Sequence, residues 1–489
     1  MTRAGARPRL EGSQPRDLFV ETDLRRGRLR RSLREGLRAS IQDHRLAVGT
    51  VLPSSRRLAL DLGISRGVVT DVYDQLASEG YLIIRPRSAP IVAPVVAQDR
   101  ALSPRRIDVA AEDFAFDFVA TSPDVSLFPR RAYVRAVEHA LAMAPDRALD
   151  YGDHRGRSEL RTALAVYLAR VRGIRTDPSR IIVTSGFTQA LSLICAVISR
   201  RGGQTVAIES PSLPDEWATV RASGLRLVGC PIDDEGLTVD RLGRPDAIIV
   251  TPAHQFPMGV VMSPLRRQAL VAWAQAGQTL IIEDDYDAEF RYDRTPMGAI
   301  QGLDPNSVAH VGTASKTMAP AIRLGWLTVP AGLTDEIVAL KRALDGGIPA
   351  IAQLAFADLL TSGEYERIVG RTRQIYRRRR DRLVRAVSMR MPGQPILGAA
   401  AGLHVVLCLP TGLDDVEIAH FAARRGVGVQ AISTFHVDTT QERGLILGFG
   451  RLPEEKIDRA VDELVAAIGS SRKSRPRLVG PTDEATGKI

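Results

Sequence analysis

Four short segments of this 489-residue chain hold the side chains best suited to covalent and electrostatic chemistry. In HVGTASKTMAPAIRLGW, Lys316 follows an apolar run, with Thr313 and Ser315 just before it and Arg323 shortly after. A lysine at a desolvated strand end gives up its proton more readily and attacks carbonyls. Hydroxyls and a guanidinium beside it suit a phosphate dianion. In TLIIEDDYDAEFRY, Asp284 and Asp285 end a second apolar run and Tyr286 follows. Ligands of open α/β sheets bind at such strand ends. Paired carboxylates there either hold Mg²⁺ or face a protonated ring nitrogen. TSGFTQALSLI turns from a strand into a helix at Ser185, Gly186 and Phe187, which offers free backbone N–H groups to an anion. TPAHQFPMGVVMS supplies His254 in a loop over the same strand ends. Each segment alone is weak. An aspartate for a pyridinium nitrogen, a lysine for an aldehyde and a phosphate cradle together describe pyridoxal 5′-phosphate, PLP. A Mg²⁺ enzyme using Asp284 and Asp285 is the remaining alternative.

Strand-like runs at Ile181–Thr184, Thr205–Ile208, Leu225–Gly229, Ala247–Val250, Thr279–Ile282 and Val308–Val311 alternate with helical patterns. That order predicts a mostly parallel central sheet in an α/β domain. We place this domain at 113–469, with a large part at about 150–340 and a smaller α/β part at about 360–469, including Gly402–Leu409 and Leu445–Gly450. Residues 470–489 read as a disordered tail.

The N-terminal region differs. Residues 1–110 carry 20 Arg and no Lys against 12 Asp+Glu, a net of +8, leaving 10 − 8 = +2 for the rest. A basic module on a near-neutral body suggests a polyanionic partner. Leu24–Ile41 is amphipathic, Arg56–Leu62 is a short helix ended by Gly63, and Ser65 caps a helix over Arg66–Glu79. Two β-like runs follow, at Tyr81–Ile84 and Ile91–Val92. This is a winged helix-turn-helix layout over 17–93, joined by a linker at 94–112. The second helix of such a pair enters the major groove, so Ser65 and Arg66 face base edges, with Arg66 matched to guanine. Ser55, Arg56 and Arg57 meet phosphates, and Arg85 and Arg87 lie in the wing. The partner is then a double-stranded DNA operator. Three scattered cysteines (Cys195, Cys230, Cys408) exclude a disulfide scaffold and fit the cytoplasm. No secretory signal is present, and the longest apolar run, Leu397–Pro410, is too short to span a membrane.

GTVLPSSRRLALDLGISRGVVTDVYDQLASEGY resembles the DNA-binding domain of GntR-type bacterial regulators. YGDHRG, TSGFTQAL, TPAHQFPMGV, EDDYDAEFRY and GTASKTMAPAIRLG are similar to the fold type I, class I aminotransferase domain of the MocR/GabR subfamily. The resemblance implies an internal aldimine at Lys316, Asp284 on the pyridine nitrogen and Tyr286 on the phenolic oxygen. It places Ser185, Gly186, Phe187, Thr313, Ser315 and Arg323 around the phosphate. It also implies a homodimer in which Tyr151 reaches the partner's phosphate. The function implied is a PLP-dependent transcription regulator that senses PLP or a small amino compound. A working aminotransferase with an accessory DNA-binding domain is the rival.

Three positions depart from the subfamily pattern. The wing's usual Gly-Ser-Gly-Thr turn is Arg87-Ser88-Ala89-Pro90 here. Leu213 stands where an aromatic ring stacks on the cofactor, a loss of about 0.5–1.5 kcal/mol that Trp217 would have to offset. Ile446 stands where class I aminotransferases carry an arginine for the substrate carboxylate, and the nearby Arg443 is out of register. That absence favours regulation over turnover and leaves an amine, a shifted carboxylate site or PLP itself as the signal.

Overall fold

The computed structural model describes residues 29–94 and 114–474, except 121, 294–296, 439 and 441. Our expectations for 17–28, for nearly all of the linker and for the tail beyond 474 lie outside these residues. The chain divides into two compact units, the first ending at Val109.

The first unit begins with α1 (Leu29–Gln42), whose Leu33, Leu37 and Ile41 are buried on one face. Helix α2 (Ser55–Asp61) is capped by Ser54, whose side chain accepts from Arg57 N. Its C-terminal turn passes through Gly63 at φ +67°, a conformation glycine adopts without cost. Helix α3 (Arg66–Ser78) starts on Ser65, whose hydroxyl accepts from Val68 N. Val69, Val72, Tyr73 and Leu76 of α3 pack on Leu33, Leu37 and Leu58 to form the module's core. Strands β1 (Leu82–Ile83) and β2 (Ile91–Val92) pair antiparallel as the wing. A bridge from Val51 to Ile91 ties the wing to the segment before α2.

The second unit opens with a short strand, β3 (Phe116–Asp117). Its main sheet follows: β4 (Ile181–Thr184), β5 (Thr205–Ser210), β6 (Arg226–Asp233), β7 (Gly236–Leu237), β8 (Ala247–Val250), β9 (Leu280–Asp285), β10 (Val308–Thr313) and β11 (Gly325–Thr328). The order is β4-β11-β10-β9-β8-β5-β6-β7. Pairs from β10 through β9, β8 and β5 to β6 are parallel, whereas β11 runs antiparallel to both neighbours and β7 to β6. The core strands are apolar because helices cover both faces; β4 and β8 are buried at every position. The sequence reading had no counterpart of β11, which follows the Lys316 segment directly and is only four residues long.

A smaller sheet contains β12 (Ile396–Leu397), β13 (His404–Cys408), β15 (Gln430–Ala431) and β16 (Gly444–Gly448) in the order β12-β13-β16-β15, all antiparallel. Strand β14 (Val427–Gly428) pairs instead with β3. Phe116 and Phe118 therefore share a core with Val405, Leu445 and Ile468, so this part draws on residues far N-terminal to 360. The final helix runs from Ile457 to Ser474, past the tail boundary we drew at 470, and Ser471 is buried.

Candidate functional site

In the first unit the two helix N-termini converge: Arg66 Nε lies 3.4 Å from Ser55 Oγ. Arg56, Arg57 and Arg66 are all exposed. Arg57 is partly neutralised by Asp61, 3.1 Å away. Arg85 and Arg87 are exposed on the hairpin turn, where Arg87 adopts φ +60° in place of the glycine usual there. The seven residues expected to contact DNA thus lie on the α2 and α3 N-termini and the wing turn.

In the second unit, the C-terminal ends of β4, β9 and β10 carry the chemistry. Lys316 sits in the turn after β10 and is half-buried. Burial pushes its amine down from the usual lysine range, and the Asp287 and Asp284 charges oppose that shift. Asp284 and Asp285 end β9, and strand alternation sends them to opposite faces. Asp285 is claimed by structure: its Oδ2 accepts from Arg172 Nε at 2.6 Å and lies 2.9 Å from His310 Nε2. Burial would raise this carboxyl, but Arg172 and His310 hold it well below the ordinary range. Asp284 is also buried, and its Oδ1, like Asp285 Oδ1, has no hydrogen-bond partner among the described residues, but the Arg172 and His310 bonds go to Asp285. Burial, then the charges of Glu216, Asp285 and Asp287, push it well above the ordinary range. A buried carboxyl oxygen without a hydrogen-bond partner is costly, so this atom calls for a donor from a ligand. A pyridinium nitrogen meets that need.

Tyr286 follows on the same side. Its hydroxyl donates to His254 O at 3.1 Å and stands 3.1 Å from His254 Nδ1. Burial keeps the phenol well above its ordinary pKa, hence protonated.

The anion cradle lies between β4 and β11. Gly186 adopts φ +120° ahead of the helix Phe187–Arg200, whose first N–H groups have no partner within the helix. Arg323, at φ +48°, brings its guanidinium beside Gly186: a Cβ built there would lie 3.7 Å from Arg323 Nη1. Gly325 presses in from the other side, where a Cβ would come within 2.8 Å of the Gly186 Cα. The Thr313 hydroxyl donates to Ser315 Oγ at 2.9 Å and accepts from Ser315 N at 3.2 Å. Ser185 N is bonded to Gln189 Oε1 at 2.8 Å. Free amides, a guanidinium and small residues fit a phosphate.

Leu213 begins the helix Pro214–Ala222 and packs with Tyr286, Met258 and Leu397 on a cluster that includes Phe256, Val406, Phe435 and Ile446. Trp217 does not join it. Its indole donates to Ser212 Oγ at 2.8 Å and its ring packs on the sheet core instead. Ile446 is fully buried in the apolar cluster. Arg443 is turned to the Thr440 and Glu442 carbonyls and to Asp415, 3.6 Å away. Tyr151 projects from the unit, 96% exposed.

Our sequence reading gave Asp287, Arg172 and His310 no role and ranked His254 as more structural than catalytic. A histidine inside the otherwise apolar VAHVGT of β10 was the legible signal for His310. Among the described residues no group of three His, Cys, Asp or Glu could hold a metal. Asp285 Oδ2 is taken by Arg172 and His310, and adjacent positions of β9 face opposite sides of the sheet, so Asp284 and Asp285 do not form the paired ligand set of the Mg²⁺ alternative.

Two family descriptions match the chain: "Bacterial regulatory proteins, gntR family" over residues 29–92 and "Aminotransferase class I and II" over residues 126–464. The chain belongs to the GntR-type regulators that carry an aminotransferase class I and II domain, the MocR/GabR subfamily. Among its relatives is the uncharacterized HTH-type regulator YhdI of Bacillus subtilis, 33% identical and covering 87% of this chain and 93% of that one. Another is the pyridoxine biosynthesis transcriptional regulator PdxR of Corynebacterium glutamicum, 32% identical over 89% of this chain and 95% of that one. A solved kynurenine aminotransferase from Pyrococcus horikoshii, in complex with PMP, KYN and KYA, superposes with a TM-score of 0.68 at 26% identity, covering 74% of this chain and 92% of that one. The aminotransferase fold is one built around PLP. Among the described residues no helix is long and apolar enough to cross a membrane.

Proposed function

We propose that this regulator binds operator DNA through α2, α3 and the wing, and that its second unit holds PLP at Lys316 and reports PLP or a small amino compound to the DNA-binding module. The observation that carries the cofactor reading is Asp284: a buried carboxyl with an orphaned oxygen on the same sheet edge as the only lysine of the segment and the Gly186–Arg323 cradle. When bound, PLP supplies an aldehyde that captures amines and an electron-poor ring. Lys316 is the amine that holds that aldehyde. Asp284 takes the ring nitrogen, Tyr286 the phenolic oxygen, and Leu213 covers the ring face. Ser185, the amides of Gly186 and Phe187, the Thr313 and Ser315 hydroxyls and Arg323 hold the phosphate. Tyr151 serves the site of a second copy in a homodimer.

The wall around Leu213 and Tyr286 includes the apolar side chains of Phe256, Val406 and Ile446. An effector held there by apolar contact, rather than through a carboxylate, fits that surface, and PLP itself satisfies the cradle without further groups. An effector switches the protein only if it binds two arrangements of the dimer with different affinity. The test is direct. Purified protein given PLP should gain a visible absorbance band that Lys316→Ala lacks. Footprints on its own upstream DNA should respond to PLP or to an amine. Steady-state exchange between an amino acid and a keto acid, with DNA binding unmoved by PLP, would favour an aminotransferase instead.

A further inference from the structure

His254 is built into the cofactor end of the sheet more tightly than a loop residue needs to be. It is 1% exposed, as is Asp287, and its Nδ1 lies 2.9 Å from Asp287 Oδ2. Two glycines at positive φ hold the ring edge-on. A Cβ on Gly402 would sit 2.2 Å from His254 Cε1 and 2.6 Å from Asp287 Oδ2. A Cβ on Gly259 would sit 3.0 Å from His254 Nε2 and 2.1 Å from the Gly398 Cα. Because a carboxylate only accepts, the bond to Asp287 assigns the hydrogen to Nδ1. That same N–H reaches the Tyr286 oxygen at 3.1 Å.

A phenol has one hydrogen to donate. Here it faces His254 O at 3.1 Å, with the Asp287 carboxylate a second acceptor beside it. To serve an anionic oxygen of the cofactor, it must turn away from that carbonyl, while Nδ1–H stays behind the phenol oxygen. A donor behind a donor strengthens it. The other charged or titratable groups facing this chain are Asp284, Glu209, Lys316, Arg291 and His404. His404 is pushed down to about 3 by burial and by His254, and its Nε2 is occupied by Pro257 O at 2.9 Å. Arg291 is spent on Ala253 O at 3.2 Å. Neither replaces His254 at the phenol.

We infer that Asp287 and His254 are positioning residues that aim and strengthen the Tyr286 hydroxyl toward the phenolic oxygen of PLP. This rests on the cofactor reading above. The measurement is the pH midpoint of the colour change in full-length PLP-loaded protein. Removing a donor from an anionic oxygen lets the ring system hold its proton to higher pH. Tyr286→Phe should therefore raise the midpoint by about one unit, and His254→Phe should raise it by part of that. In a Tyr286→Phe background, His254→Phe should add nothing, which a general packing defect would not reproduce. His254→Asn, whose amide nitrogen can stand near the Nδ1 position, should recover most of the wild-type midpoint, and Asp287→Asn should behave like a weaker His254→Phe. A coloured His254→Phe protein with an unmoved midpoint, or fully additive shifts in the double variant, would overturn the inference. A wild type that stays colourless with PLP would overturn the cofactor reading itself and this inference with it.

Discussion

At the residue scale, the site is decided by which acids are spoken for. By residue type Asp284 and Asp285 are indistinguishable in the string EDDY; the two-residue period of β9 puts them on opposite faces, and the family resemblance picks Asp284. Asp285 meets Arg172 and His310; Asp284 is the one we propose for the cofactor. The alternation was legible in the sequence, but the partners were not. Arg172 is more than a hundred residues away and His310 lies on a different strand. Replacing Asp284 by Ala should weaken PLP retention by about 2–5 kcal/mol, the usual cost of removing one side of a buried charge pair. Equilibrium dialysis against PLP would measure it, and retention within a few-fold of wild type would count against the pairing. A second prediction concerns pH. Burial, with the Glu209 and Asp215 charges, pushes Glu216 up to about 8. Its folded-state pKa is above its unfolded value, so the stabilising contribution is full below about pH 4.5 and is lost as pH rises toward 8. Glu216→Gln removes that titration. In the cofactor-free protein, its Tm should fall less than that of wild type between about pH 5 and pH 8; parallel melting curves would contradict the assignment.

At the element scale, local patterning located most of the frame. The bounds we drew for two strands coincide with β4 and β8, because both are short unbroken apolar runs next to turn residues. Ser65 is the cap of α3 for the reason the sequence suggested: its hydroxyl satisfies an otherwise free N–H. Ser65→Ala should cost the module about 1 kcal/mol, read from urea unfolding of the full chain with a probe in the first unit. Strand β11 escaped notice because GWLT carries no period and one of its two neighbours, β4, is distant in sequence. It nevertheless shapes the cradle through Gly325. Gly325→Ala would drive a methyl group into the Gly186 backbone, a strain of about 1–3 kcal/mol. PLP binding should weaken while Lys316 stays reactive toward other aldehydes. Unchanged affinity in a folded variant would mean that the phosphate sits elsewhere.

At the scale of the whole molecule, two units with different charge share one chain. Arg66 heads α3, its Nε donates to Ser55 Oγ at 3.4 Å, and we propose that it reaches a base edge. Arg66→Ala should cost about 1–3 kcal/mol on the operator and relax specificity at one base pair, whereas Arg56→Ala should weaken binding evenly across sequences and flatten the salt slope. Gel shifts at several salt concentrations on operator and scrambled fragments separate the two outcomes. Tyr151 stands out from its own subunit almost entirely. If that phenol completes a neighbour's phosphate site, occupancy by the vitamer depends on how much of the protein the cell contains. Dilution then loosens the ligand even when its free level is constant, and the same chain reads both its cofactor and its own abundance.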